Sequence, residues 1–224
     1  MAGITNEVED SIAKRDIEIA EEVGATIHLC HCSTRDTVKF VKAAKEKGLP
    51  VSAEVCPHHF TLTDEDIIED DANFKMNPPL RSRADVEALK EGIRSGIMGM
   101  ISTDHAPHSK EEKEKSIKNA PFGIVGLETA FALTVTELLG EYLDMKSLVE
   151  RMSLSPAKLL KNGRGTLKEG AVADLVIADI NEEYVIDSDK FLSKGKNTPF
   201  NGKKVRGKIL YTLCNGKVVF KEEK

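Results

Sequence analysis

One arrangement recurs three times in the first half of this 224-residue chain: an amphipathic helical stretch stops at a glycine, and a short apolar segment follows. Residues 5–23 have helical spacing, with Val8, Ile12, Ile19 and Val23 on one expected apolar face, and Gly24 ends them. "ATIHLCH" then has the character of a strand. "STRDTVKFVKAAKEKG" opens with a capping-box pattern from Ser33 to Asp36 and closes at Gly48, and "LPVSAEV" follows as the next strand. After a longer stretch containing "KMNPPLR", "RADVEALKEGIRSG" predicts a third helix and "MGMIST" a third strand. Alternating helices and strands of these lengths predict a parallel sheet covered by helices, an α/β fold.

Each predicted strand runs out into the same chemistry: "HCST", "CPHH" and "TDHAPH". In parallel α/β folds the C-terminal ends of the strands form the rim that carries active sites. All six histidines (His28, His31, His58, His59, His105 and His108) lie in this region, and the C-terminal half has none. The chemistry is therefore expected in the first half.

The net charge of −5 argues against nucleic acid or an anionic membrane as the main partner. No apolar run approaches the roughly 18 residues of a membrane span. The N-terminal stretch is too acidic and polar for a signal peptide. Four cysteines do not make a disulfide framework at this length, so a reducing cytoplasm is the expected location.

Further helices are expected at about 125–139 and 145–161, the second interrupted at Pro156. From Gly165 onward the pattern predicts short strands joined by glycine turns. "VRGKILYTLCNGKVVFK" predicts a hairpin, because Asn215-Gly216 suits a type I′ turn. A boundary is expected near residue 163. The Lys/Glu run at 110–115 predicts a solvated loop or helix start.

A hydrolytic metal site needs imidazole and carboxylate donors with a position left open for water. His31 and Asp104 both follow strands directly, and His31 is either a ligand or a hydrogen-bonded strand-end residue. His28, three residues earlier, points the other way and suits packing or a supporting contact. "CHC" at 30–32 lacks the CxxC partners of a structural zinc site, and Cys56 and Cys214 are expected to be buried. One of His58 and His59 faces the site, or both form a structural loop pair. Asn77 is a turn residue or an amide that binds substrate. No GxGxxG, P-loop or GxSxG pattern is present, so a metal hydrolase leads, with thiol chemistry at Cys30, Cys32 or Cys56 second.

Six segments, "IHLCHCST", "AEVCPHHFTLT", "KMNPPLRS", "STDHAPHSKEEK", "APFGIVGLET" and "NTPFNGKKVRGK", lie in order along the chain. They resemble dihydroorotases of the bacterial, longer-chain type, within the amidohydrolase superfamily. "TDHAPH" followed by "PFGIVGLE" is specific to this family against its hydantoinase cousins. The resemblance implies a (β/α)8 TIM barrel with a small β-sandwich and one or two zinc ions. The implied reaction is the reversible cyclisation of N-carbamoyl-L-aspartate to L-dihydroorotate in pyrimidine biosynthesis.

Residue by residue, the resemblance implies that His31 binds metal after the sixth barrel strand. Asp104, after the eighth, would both bind metal and carry the proton. Asn77, His108, Pro121, Phe122 and Gly123 match substrate contacts. Cys32 stands where the family usually has valine. The family's His-x-His pair, its bridging carboxylate or carboxylated lysine, and its histidine after the fifth strand have no counterpart. The chain thus corresponds to barrel strands 6–8 (residues 1–163) and a β-sandwich segment (164–224). The remaining zinc ligands are expected upstream, and the missing N-terminal half of the barrel is the expected partner. Three strands cannot close an eight-stranded barrel, and open edges favour association, so a homo-oligomer is also expected. Little activity is expected from the chain alone. Two other functions stay open: a non-catalytic dihydroorotase-like scaffold, for instance for aspartate carbamoyltransferase, and a hydantoinase-type cyclic amidase.

Overall fold

The computed structural model describes residues 3–222. Its first helix, α1 (Asn6–Val23), ends at Gly24 in the left-handed conformation that glycine adopts without steric cost. The buried stripe of α1 is Ala13, Ile17 and Ala20, and the expected apolar face of Val8, Ile12, Ile19 and Val23 is exposed. The inversion has a tertiary cause. Glu9 sits on the inward side, where its carboxylate accepts the Ser33 and Thr34 amides at 2.8 and 3.1 Å.

Strand β1 (Ile27–Leu29) leads to α2 (Arg35–Glu46), then β2 (Val51–Val55). The α2 cap is Thr34, whose side chain accepts from Thr37, rather than Ser33. Ser33 is already engaged by Glu9 and by the Arg81 Nε, the latter at 3.0 Å. Helix α3 (Pro57–Thr61) follows β2, starting on a proline whose missing N–H costs nothing in a first turn. The histidine pair 58–59 is therefore helical and buried, not a loop. Helix α4 (Arg83–Ser95), capped by Ser82 and stopped by left-handed Gly96, precedes β3 (Met100–Ile101).

The three strands form a parallel sheet in the order β1-β2-β3, with Leu29 opposite Ala53 and Val55 opposite Ile101. Val51, Ala53 and Val55 face the helices in a core with Val41, Phe60, Leu89 and Ile93. Burying each of the larger of these side chains is worth roughly 1.5–3 kcal/mol. Ser52 and Glu54 alternate to the opposite face, where His28 meets them.

After α5 (Lys110–Lys113), helix α6 (Ala130–Leu138) starts later than expected. Helices α7 (Met145–Val149) and α8 (Ser155–Leu159) are joined through a π-turn at Glu150–Leu154. The irregularity thus lies before Pro156, which cannot donate to the carbonyl one turn back.

Strands β4 (Leu175–Val185), β5 (Lys204–Cys214) and β6 (Lys217–Lys221) form one antiparallel sheet, so the described residues contain no β-sandwich. Residues 165–174 carry no strand. Asn215 and Gly216 have φ of 49° and 76°, as the expected turn requires. Cys214, at that turn, is exposed rather than buried. The sheet lies against α6: Gly207 leaves room for Val135, and the Arg206 amide donates to the Thr136 hydroxyl at 3.0 Å.

Candidate active site

The C-terminal rim of the parallel sheet holds His31 and Asp104 just beyond β1 and β3, on either side of β2. Both are half-buried. Both have positive φ, 40° for His31 and 46° for Asp104, a conformation that non-glycine residues seldom adopt and that concentrates at functional sites. Two strand spacings put the strand ends about 10 Å apart. Glu54 stands between them on β2.

Glu54 organises the β1 side. One carboxylate oxygen takes the His28 Nε2 contact at 3.1 Å and the other accepts the His31 amide at 3.4 Å. Burial opposes its ionisation, but bonds from His28, Ser102 and the His31 amide outweigh burial and hold its carboxyl below the usual range. His28 also contacts the Ser52 hydroxyl through Nδ1 at 2.8 Å, which gives it the supporting role expected.

The cysteines are poor nucleophiles here. Burial, reinforced by the charges of Glu54 and Asp104, raises the Cys30 thiol. Burial raises Cys32 and Cys56 further. Thiolate chemistry at the rim is disfavoured accordingly. His58 and His59 are buried as neutral rings. Burial lowers His58 well below the ordinary histidine range and His59 to about 4. The His59 Nε2–H donates to the Pro78 carbonyl at 2.9 Å.

The β3 side is closed by its own loops. The Ala106 amide donates to the Ile124 carbonyl at 2.8 Å, and the His105 Nδ1 accepts the Gly126 amide at 3.1 Å. His105 therefore braces the start of α6. His108 donates Nε2–H to the Phe122 carbonyl at 2.9 Å, and its Nδ1 lies 3.4 Å from Glu112. Lys113, in the expected solvated run, is buried and donates to the Pro121 and Gly123 carbonyls at 3.1 and 2.9 Å. Burial, with the nearby Lys75 charge, lowers its amine to about 8. The Gly123 amide in turn donates to the Lys75 carbonyl at 3.0 Å, two residues before Asn77.

The structure thus brings together His108, Pro121, Phe122 and Gly123, and sets exposed Asn77 on the neighbouring segment. Among the described residues no hydrogen bond joins the His31 ring to the Asp104 carboxylate. Glu54 and Lys113 were not singled out in the sequence. A charge at an alternate position of an apolar strand was the available signal for Glu54, while nothing local marks Lys113 as buried.

His31 and Asp104 supply an imidazole and a carboxylate, donor types that zinc takes. Two donors fall short of the three protein ligands of a catalytic zinc site, so the pair fits as part of a site that other residues complete. Two other sets bring donor atoms within 4.8 Å of one another: His28, Cys30 and Glu54, and Cys56, His58 and His59. In the first, the His28–Glu54 bond already occupies both partners.

No helix among the described residues is long and apolar enough to cross a membrane. Residues 4–219 match the model of the amidohydrolase family. The chain is 45% identical to the dihydroorotase of Caldanaerobacter subterraneus subsp. tengcongensis, an alignment covering 100% of this chain and 52% of the relative. It is 48% identical to that of Staphylococcus epidermidis, covering 99% and 52%, and 47% identical to that of Clostridioides difficile, covering 98% and 52%. It therefore spans about half the length of these curated relatives. Among solved structures, L-hydantoinase (dihydropyrimidinase) from Arthrobacter aurescens superposes with a TM-score of 0.90 at 31% identity, over 96% of this chain and 49% of that one. D-hydantoinase from Bacillus sp. AR9 gives 0.89 at 26%, with the same coverage.

Proposed function

The chain belongs to the amidohydrolase family, and on that premise we propose that it is the C-terminal portion of a dihydroorotase. The substrate pair would be N-carbamoyl-L-aspartate and L-dihydroorotate, with zinc as the cofactor. The observation that carries the reading is the placement of His31 and Asp104 at strand ends on one rim, both in left-handed backbone. Identity favours dihydroorotase over hydantoinase: 45–48% against dihydroorotases, compared with 26–31% against the hydantoinases named above.

When bound, zinc would supply Lewis-acid activation of water and of the scissile carbonyl. His31 and Asp104 are the residues here that would hold it. Asp104 also moves the proton, taking it from the attacking water and delivering it to the leaving ring nitrogen. In the biosynthetic direction it runs the same transfer backwards. The turn at 121–123 and the His108 loop bind the substrate. His108 commits Nε2–H to Phe122 and sets Nδ1 3.4 Å from Glu112, so a ligand reaching the ring would compete with that Glu112 contact. Asn77 adds a free carboxamide from the segment alongside.

The partner in this reading is the N-terminal half of the barrel. Val8, Ile12, Ile19 and Val23 on α1 present an apolar stripe to solvent, as do Leu127, Leu192 and Val219 around the antiparallel sheet. Such surface is what a covering segment would bury. The test is to assay the chain alone, and co-expressed with the N-terminal half of the Clostridioides difficile relative. Dihydroorotate hydrolysis is expected only from the pair, with hydantoin a poor substrate. Hydantoin preference would replace the reading with a hydantoinase. A pair with no turnover would favour the scaffold.

A further inference from the structure

One side chain ties the β3 loops to a segment far along the sequence. Asn197 is 6% exposed and lies between β4 and β5. Its Oδ1 accepts the His108 amide at 2.9 Å, and its Nδ2 donates to the Ala106 carbonyl at 3.1 Å and the Gly123 carbonyl at 3.0 Å. The two carbonyls need the nitrogen and the amide needs the oxygen, so the three partners fix the orientation of the carboxamide. Its own carbonyl accepts the Val125 amide at 2.9 Å.

The approach that permits this depends on glycines. A Cβ at Gly195 would stand 2.7 Å from the Pro107 Cβ and 3.0 Å from the His108 nitrogen. A Cβ at Gly123 would stand 2.5 Å from the Ala106 Cβ. Lys113 grips the 121–123 turn from its other side, but of the two only Asn197 bonds both to that turn and to the His108 loop.

We propose that Asn197 is a positioning residue that holds the His108 loop and the Pro121–Gly123 turn at a fixed separation. The two loops then meet a substrate as one preorganised surface. The assignment rests on the reading of those loops as substrate contacts. Asn197 does its work through backbone atoms of both loops, so its removal loosens them without altering the side chains they present. The His108–Phe122 and Ala106–Ile124 bonds then remain between them.

The experiment has two arms. In the first, residue-resolved amide hydrogen exchange is measured on this chain for the wild type, Asn197→Ala and Asn197→Asp. Asn197→Ala is expected to speed exchange about tenfold or more at the His108 amide, which bonds Oδ1. Through loosening of the turn it also speeds exchange at the Gly123 amide, which bonds the Lys75 carbonyl, with the β2 amides unchanged. Asn197→Asp keeps an acceptor for the His108 amide but loses both donors. It is expected to speed exchange at the Gly123 amide, through loosening of the turn whose carbonyl it no longer holds, while sparing His108. It decides the matter if the alanine variant does not fold. Unchanged exchange at both loops, or equal loosening of β2, would overturn the proposal.

In the second arm, the same variants are assayed after reassembly with the N-terminal half. A KM for dihydroorotate raised about tenfold with kcat nearly unchanged is the expected signature of lost substrate binding. A fall in kcat at unchanged KM would contradict it. If the wild-type pair does not turn over dihydroorotate, the functional reading falls, and the exchange arm still decides whether Asn197 positions the loops.

Discussion

At the β3 end of the parallel sheet, the loops are gripped by His105, Lys113 and Asn197, and glycines let their backbones touch. At the β1–β2 end, His31 has one amide contact to Glu54, and Cys30 beside it is exposed. The first region is held by contacts among its own loops and Asn197. The second presents half-buried polar side chains, His28, Ser52 and Glu54, on the sheet face opposite the helix-packed core. Where a site is assembled from two segments, the loops that bind substrate can be prebuilt on one of them. On the proposed function, the metal-binding rim would be finished by the other.

Breaking the self-sufficient side should cost most. Gly123 has φ of 127° and its Cβ would meet Ala106 at 2.5 Å, so Gly123→Ala combines strain and overpacking. A loss of roughly 4 kcal/mol is expected from urea unfolding. A near-neutral result would mean that the β3 loops are looser than their contacts imply.

The next test separates the regions by pH. His59, buried in the helix that follows β2, is depressed to about 4. Its stabilising contribution is complete above its unfolded value of about 6.5 and is lost as pH falls through 4, about 3 kcal/mol in all. Glu54, also depressed, loses its contribution over the acid range below its ordinary value. Lys113 responds at the other end. Its amine is lowered to about 8, so its contribution is lost as pH falls through 8 and grows as pH rises toward the ordinary lysine value. Unfolding followed from pH 4 to 10 should show the acid loss reduced in His59→Gln, with the His58 and Glu54 shares remaining, and the alkaline gain reduced in Lys113→Met. If the acid loss persists unchanged in His59→Gln, the buried ring is not its source.

Glu54→Gln should cost about 2 kcal/mol, because hydrogen bonds to a charged acceptor are being replaced by weaker ones. Heteronuclear NMR should show the His28 and His31 signals shifting while those of His105 and His108 stay in place. Movement of all four would deny that the two sides are independent. The smallest expected effect is at Asn77, which is exposed. Asn77→Ala should change stability by no more than about 0.5 kcal/mol, while raising KM in the reassembled protein.

The alternation of helix, glycine and strand made the parallel layer legible, and Asn215-Gly216 did the same for the hairpin. The position of His31 and Asp104 at strand ends was legible because they follow apolar runs directly. What escaped was set by distant partners. The exposed stripe of α1 has the better apolar periodicity, yet the face that packs carries Glu9, turned inward to cap α2. The second half contributes one antiparallel sheet where a sandwich was expected, since a second layer cannot be counted from strands that are not there. Asn197 sits 89 residues from the His108 amide it binds, and no local pattern distinguishes it from a turn residue.

The central claim is that His31 and Asp104 contribute to one metal site which this chain cannot complete alone. It is tested most directly by the zinc content of the protein reassembled with the N-terminal half, measured for the wild type, His31→Ala and Asp104→Ala. The account predicts zinc retained through gel filtration by the wild-type pair, reduced in each variant, and not retained by this chain alone. Zinc unchanged by both substitutions, or held as tightly by this chain alone, would contradict it.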